Sequence, residues 1–592
     1  MEKLTKYEKV MRLALRRGFF WQSYEIYGGV AGFYDLGPLG TMLKNKILSL
    51  WRKHFVVKHS DIVVEVETPV IGPEKLYVAS GHVEHFTDPV VECLSCGRKF
   101  RADHLVEEKL GLRAEGLPAE ELSKLIAENN IRCPVCGGPL SSVRKFNLLF
   151  KTTIGPFSDS IGYLRPETAQ GIFTAFKRVY EVTRNRFPLG IVQIGRVARN
   201  EISPRQGLLR LREFTIAEME FFFDPEEPFD RKLAEYIASV ENVRLRILTA
   251  EDKTRGEDSP KEYNLSEAIK EGIIKVPWLG YWMAVSQIFI NELGIPPEKT
   301  YFDEKLPEER AHYADQTFDQ MVYIDGIGWI EIAGHAYRTD YDLSRHMEHS
   351  GHDLRVFKQY EKPITRRKVI VTADRAWLGR TYGRRSVEIL KKLEALSPDK
   401  AKAQLDKKGY IEVDGISIPK EFVLFIEKEE KESGRKFVPH VAEPSFGVER
   451  LILAVLTSAY TEREDRIILS LPRYLAPYDA AVFPLTRDKK LVETAKRIWS
   501  NLKEKGFLVL YDDADSIGRR YARVDEIGVP AAITVDYDTP STGTVTLRDR
   551  DTWLQVRIAV DCVTNALREF LEGVSLERIG AKYSKPDTCR IN

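Results

Sequence analysis

The chain reads as α+β: an antiparallel-sheet core interrupted by insertions, then a smaller α/β domain in which strands and helices alternate. Three observations predict it. Residues 191–224, IVQIGRVARNEISPRQGLLRLREFTIAEMEFFFD, read as strand, basic loop, strand. From Tyr474 onward AAVFPL, FLVLYDD, AAITVD and TVTLRDRD are short apolar runs separated by helix-like stretches. The length of 592 residues exceeds what one hydrophobic core organises.

Lys and Arg number 89 against 88 Asp and Glu, a formal net charge of +1, so any nucleic acid must be held by local patches. Nothing in this balance points to DNA. No run of about 18 apolar residues occurs, so no membrane span is expected. The N-terminus, MEKLTKYEKVMRLALRRGFF, lacks the apolar centre of a signal peptide. Six cysteines, four of them in two CxxC pairs, suit a reducing compartment and a metal better than disulfides; Cys562 and Cys589 stand unpaired. A cytoplasmic location is the expectation.

Taken in order, residues 27–40 are glycine-rich but have neither a Walker lysine nor a strand–GxGxxG–helix setting, which leaves tight turns before a helix. Residues 41–59 place Leu43, Ile47, Leu50, Trp51 and Phe55 at helical spacing, and a strand-like stretch with Pro69 follows. Cys93-Leu-Ser-Cys96 and Cys133-Pro-Val-Cys136 each precede turn glycines, a pattern for tetrahedral thiolate zinc stapling residues 90–146 as a subdomain. Arg165-Pro-Glu-Thr-Ala-Gln170 opens a helical segment, with Pro166 and Glu167 in its first turn on the bland reading.

In the second strand of 191–224, Phe214, Ile216, Glu218, Glu220 and Phe222 share one face; Thr215, Ala217, Met219, Phe221 and Phe223 share the other. A face with two carboxylates is costly to bury unless charges answer them. The loop arginines could do so as an ion-pair lattice. A ligand carrying both phosphates and an ammonium group could do so too. Residues 225–316 show no chemistry. The sheet resumes at 318–335, where Glu331 alternates outward, and Arg338 follows. His346, His349 and His352 read as solvated histidines, because Gly351 interrupts any helix. Residues 353–436 are charged and read as a solvated insertion. In HVAEPSFGVERLILAVL the arginine Arg450 sits in the first turn of a helix, where cations are disfavoured unless an anion is present.

Arg199-Asn200-Glu201, the loop and Arg212-Glu213-Phe214 resemble motif 2 of class II aminoacyl-tRNA synthetases. The wording NEISPRQGLLRLREFTIAEME is similar to that of the glycyl-tRNA synthetase family of archaeal and eukaryotic type. RPETAQ matches that family's amino-acid pocket, and EPSFGVER resembles motif 3, with Ser445 at the first of its usual glycines. Residues 41–70 resemble motif 1, the family's dimer interface. The tail resembles the anticodon-binding domain shared by glycyl-, histidyl-, prolyl- and threonyl-tRNA synthetases. The resemblance implies a class II catalytic domain over 1–471, with motif 2 at 191–224 and motif 3 at 438–456. Insertions fall at 90–146, 225–316 and 353–436, and an anticodon-binding domain covers 474–592. Within that domain Arg519, Arg520, Arg523, Arg548 and Arg550 are candidates for RNA phosphates.

The implied reaction ligates glycine to tRNA(Gly) in two steps, through a glycyl-adenylate made from ATP. Arg199 would bridge carboxylate and α-phosphate, a task suited to its planar fork. Glu201 would accept from the adenine amino group, with Phe214 and Arg450 stacking on either side of the ring. Arg205 and Arg210 would hold the outer phosphates, Glu331 would ligate Mg2+ and Arg338 would touch the nucleotide. Glu167, Glu218 and Glu443 would surround the glycine ammonium, and Ser445 would exclude larger side chains. Zn2+ would occupy Cys93, Cys96, Cys133 and Cys136, and a second copy would complete a homodimer. A synthetase-like binding protein should lose Arg199 and Arg450, and both are present. A histidine, proline or threonine ligase should lack RPETAQ and EPSFGVER.

Overall fold

The computed structural model describes residues 4–112, 114–156, 160–204 and 207–585; Arg205 and Cys589 lie outside the described residues. The chain packs as two units, Met1–Leu354 with Pro439–Asn592, and Arg355–Val438.

The first unit is built on a nine-stranded sheet. Its strands are β1 (Val63–Glu65), β2 (Leu189–Ala198), β3 (Glu213–Phe223), β4 (Arg244–Leu248), β5 (Lys261–Asn264), β6 (Thr300–Glu304), β7 (Gln316–Ile324), β8 (Gly328–Thr339) and β9 (His440–Gly447). They lie side by side as β5-β4-β6-β7-β8-β9-β3-β2-β1. Every pairing is antiparallel except β2 with β1 and β4 with β6.

The alternation read along 214–223 is realised in β3. Ala217, Met219, Phe221 and Phe223 face a core that also holds residues of helices Pro38–Phe55, Pro277–Glu292 and Val448–Ala459. Phe221 sits 4.3 Å from Trp278, and Trp51 stacks on Phe55 at 4.8 Å. On the opposite face Phe222 meets Phe176 of helix Ala169–Val182 at 4.2 Å. An apolar layer thus covers one side of β3 throughout and the Phe222 end of the other, while Phe214, Ile216 and Glu218 on that other side line a cavity.

Three expectations need correction. The first long helix runs Pro38–Phe55, with the proline at its first position, and a short 3-10 turn Val57–His59 replaces its expected end. Pro166 and Glu167 precede the helix Ala169–Val182 rather than forming its first turn. Residues 225–316 are no peripheral insertion: they supply β4, β5 and β6 and the helix Pro277–Glu292. Nearly every side chain of that helix is buried, so it shows no amphipathic stripe.

A β-bulge sets the site. Gln320 pairs with Ala333 but Met321 pairs with Glu331, so Ile332 is the extra residue. Ile332 and Ala333 consequently both enter the core. Simple alternation would put Glu331 on the same side as Ala333; the bulge turns Ala333 to the core face instead.

Residues 87–147 form a small layer of their own, with strands Thr87–Glu92, Lys99–Arg101 and Arg144–Asn147 and helices Ala102–Leu110 and Ala119–Glu128 around Val91, Phe100, Leu122 and Ile126. The C-terminal sheet holds β10 (Ala480–Pro484), β11 (Val509–Tyr511), β12 (Ala531–Val535), β13 (Thr544–Asp549) and β14 (Gln555–Ala559), ordered β11-β10-β12-β13-β14. Of its candidate arginines Arg520, Arg548 and Arg550 are buried, and Arg548 pairs with Asp525 at 2.9 Å; Arg523 pairs with Asp512 and with Asp515. Only Arg519 of the five is mostly exposed, at 76% of its side chain. Cys562 is fully buried, and Cys589 lies outside the described residues.

The second unit, Arg355–Val438, is a long two-stranded ribbon, Val356–Ala373 with Val423–Phe437, capped by three helices and a hairpin around Val371, Leu393 and Ile418. No helix of the described residues is long and apolar enough to cross a membrane.

Candidate active site

A cavity of about 490 Å³ opens on the face of the sheet opposite the main core, over β3, β9, β8 and β7. Its closed end is acidic. Glu218 of β3 and Ser445 of β9 are register partners, and the Ser445 hydroxyl donates to Glu218 Oε1 at 2.8 Å. Glu218 Oε2 accepts from the Thr168 backbone N–H at 2.8 Å and from its hydroxyl at 2.5 Å. The loop before helix Ala169–Val182 is thus clamped onto the strand, which carries Glu167 into the cavity. Glu167 lies 3.4 Å from His82 and 3.7 Å from Arg338. Burial would push its carboxyl up, but those two groups hold it below the usual carboxylate range. Glu443 completes the cluster; burial drives its carboxyl well up, partly against Arg338, with Glu218 and Glu167 adding to the rise.

Arg338 is not where the sequence reading expected it. It is fully buried, donating from Nε to Asp342 at 2.8 Å, from Nη2 to Asp342 at 3.0 Å and from Nη1 to Glu443 at 3.0 Å, with its guanidinium 3.7 Å over the Tyr313 ring. All three of its nitrogens are committed to carboxylates beneath the acidic end, which removes it from contact with a nucleotide. His346, expected to be solvated, is buried and bonded to Gln170 at 2.9 Å; Gln170 in turn donates to Glu167 at 3.0 Å.

The open end is mixed in charge. Arg199 is fixed by one bond, Nε to the Pro166 carbonyl at 3.0 Å, and lies 5.4 Å from the Phe214 ring. Among the described residues no hydrogen bond occupies its Nη1 or Nη2. Arg450 donates from Nη1 to Glu331 Oε2 at 2.9 Å and from Nε to the Leu209 carbonyl at 3.0 Å. The odd cation at a helix start is therefore answered within the protein by Glu331. Loss of water would raise the Glu331 carboxyl, and Arg450 holds it below its ordinary value instead. Arg210 and Glu201 stand 4.0 Å apart on the cavity wall. Behind them Arg212 donates to the Glu201 carbonyl and to that of Ala31, and a Cβ on Gly32 would stand 2.8 Å from Pro204. Close packing against the basic loop is what the glycine-rich stretch does.

Sequence reasoning missed two contributors. Asp319 of β7 faces the same cavity; burial and then Glu331 push its carboxyl up to about 7, against Lys305 at 3.0 Å. The subdomain 87–147 lends Asp88, Arg101, His104 and Glu115 to the wall. Neither is visible in a linear pattern, because the first depends on strand pairing and the second on docking of a separate layer.

The two CxxC turns are built alike: Gly97 N–H donates to Cys93 O and Gly137 N–H to Cys133 O, both at 2.9 Å, with both glycines at positive φ. All four sulfurs lie within 4.8 Å of one another, Cys93 to Cys136 at 3.5 Å and Cys96 to Cys133 at 3.8 Å. Tetrahedral sulfurs about 2.3 Å from zinc stand about 3.8 Å apart. The donor set fits that ion.

A family model described as tRNA synthetase class II core domain (G, H, P, S and T) matches residues 158–459, and one described as anticodon binding domain matches 479–570. The glycine–tRNA ligase of Aeropyrum pernix is 57% identical over 97% of this chain and 98% of that protein. Those of Pyrococcus furiosus and Methanothermobacter thermautotrophicus are 46% and 44% identical over 96% and 94% of this chain. With relatives this similar over nearly the whole length, the chain belongs to the glycine–tRNA ligase family of class II aminoacyl-tRNA synthetases.

Proposed function

We propose that this cavity joins glycine to ATP, releasing pyrophosphate, and transfers the glycyl group from the adenylate to the 3′-terminal adenosine of tRNA(Gly). The observation that carries the reading is the polarity of one cavity: Glu167, Glu218 and Glu443 at its closed end, and Arg199, Arg210 and Arg450 along its open end. An amino acid's ammonium suits the first and a triphosphate the second. Between them its carboxylate meets the α-phosphate, and positioning with charge neutralisation supplies most of the catalysis.

Arg199, held by one nitrogen, has its outer pair left for carboxylate and phosphate oxygens. Phe214 stacks on adenine and Glu201 accepts from its amino group, while Arg210 and Arg205 take the outer phosphates. Arg450 is held by Glu331 before the nucleotide arrives. Two facing carboxylates with hard oxygen donors, Glu331 and Asp319, suit Mg2+, whose chemistry is to neutralise phosphate charge. Ser445, bonded to Glu218, fills the space a side chain would need, so rivals larger than glycine are excluded by clash.

The zinc reading rests on the sulfur geometry of Cys93, Cys96, Cys133 and Cys136. The reading includes a cytoplasmic homodimer, supported by the resemblance of residues 41–70 to motif 1 and by the exposed apolar residues Tyr24, Ile26, Tyr27 and Val30. A monomer in sedimentation velocity would remove it. The function itself is tested by ATP–pyrophosphate exchange with each of the twenty amino acids. Exchange with glycine alone is expected, and Arg199→Ala should abolish it while tRNA binding persists. Unaltered exchange in that variant would refute the assignment.

A further inference from the structure

One buried acid is used by none of these steps. Glu220 lies on β3 two residues beyond Glu218, on the same face, and is completely buried. Neither of its carboxyl oxygens has a hydrogen-bond partner. It does not line the cavity but stands behind it: one of its oxygens lies within 4.8 Å of oxygens of Glu218 and Glu443. The register of β3 against β9, Glu218 with Ser445 and Phe221 with Ala442, brings Glu220 abreast of Glu443.

The charges around this point do not balance if every carboxyl is ionised. Glu218 on its own strand, Glu443 on β9, Asp342 on the helix Tyr341–Ser350 and Glu167 surround a single guanidinium, Arg338, and one histidine, His82. Phe173 and Phe176, which pack on Phe222 of the same strand face, add no charge. A buried carboxylate without a partner is among the costliest groups a protein can hold. Glu167, Asp342 and Glu443 have Arg338 or His82, and Glu218 has three donors. Glu220 has none. Burial and the facing Glu443 both push its carboxyl well above the ordinary range.

We propose that Glu220 is a positioning residue for the glycine ammonium: it keeps its proton and directs it toward the Glu218–Glu443 pair, so that Glu218, answered by three donors, carries the negative charge the substrate answers. The proposal rests on the glycine-site reading given above. It assigns Glu220 a neutral role, which a cation held by an ionised Glu220 would contradict.

The test compares Glu220→Gln, a neutral donor of the same shape, with Glu220→Met, which has similar bulk and no donor. In glycine-dependent ATP–pyrophosphate exchange the Gln variant should keep KM for glycine within about twofold of the parent, and the Met variant should raise it about tenfold, with KM for ATP unchanged in both. A Gln variant as damaged as the Met variant would mean that the negative charge of Glu220 is what matters, and would overturn the proposal. A Met variant with unaltered glycine KM would overturn it as well. If the Met variant does not fold, infrared difference spectra of the parent against Glu220→Gln decide: a carboxylic-acid C=O band lost in the variant is expected, and its absence from the parent overturns the proposal. Glu218→Gln is the control for the underlying reading, since an unchanged glycine KM there would overturn the site itself.

Discussion

Glu218→Gln removes one negative charge from the glycine end while leaving the local fold intact. The geometry shows why. Two donors, the N–H and hydroxyl of Thr168, converge on Oε2, so the amide oxygen of glutamine takes that place. The amide nitrogen then faces the Ser445 hydroxyl, which rotates from donor to acceptor across the 2.8 Å contact. On the proposed reading the lost interaction is a charge-assisted hydrogen bond to the substrate ammonium, worth about 1.5–3 kcal/mol. With tenfold per about 1.4 kcal/mol, KM for glycine rises roughly ten- to a hundredfold. The assay is pyrophosphate exchange at varied glycine and saturating ATP, with thermal melting as the check on folding. A glycine KM equal to the parent's, in a variant melting at the parent temperature, would refute the reasoning.

Three further outcomes are expected. Asp319 holds its proton below about pH 7 and releases it above, and a divalent cation binds the released form; the acid limb of the exchange rate should therefore move to lower pH as magnesium is raised, and a limb indifferent to magnesium would exclude Asp319 as a ligand. Arg338→Met strips the cation from Glu443 and Asp342, so unfolding should become easier by about 3–5 kcal/mol in denaturant titration, with ATP KM unchanged in the folded fraction. A raised ATP KM with parental stability would return Arg338 to the nucleotide. Treatment with a thiol-modifying reagent should release about one zinc per chain and lower the melting temperature. Protein that is metal-free and fully stable as isolated would remove zinc.

How far the sequence could be read depends on what each residue's position obeys. β3 was legible because its two faces meet different layers, so alternation survives in the residue order. Of the helix Pro277–Glu292 only the second half was legible, as a helix-like stretch at Val285–Leu293, because burial on all sides erases the stripe that marks a helix. Glu331 was legible from its alternation with Ile330 and Ile332, both packed on the core; the bulge at Ile332, which no periodicity encodes, is what brings Ala333 into the core beside Ile332. The sequence assigns Arg338 to the nucleotide because in the resembled family this strand faces ATP. Here the acids it pairs with come from a helix and a distant strand, and only folding brings them together. The tail arginines misled in the opposite sense: three of them are internal ties.

The wall formed by residues 87–147 has one more consequence. It holds four clustered sulfurs, two of them exposed, and presents Asp88, Arg101, His104 and Glu115 to the cavity proposed for the ligase reaction. Under the proposed function and zinc reading, an agent that attacks those sulfurs would reach the reaction from outside, without competing for either substrate. The supply of one charged tRNA would then follow the oxidative state of the surroundings, and decoding of a single amino acid's codons would slow first.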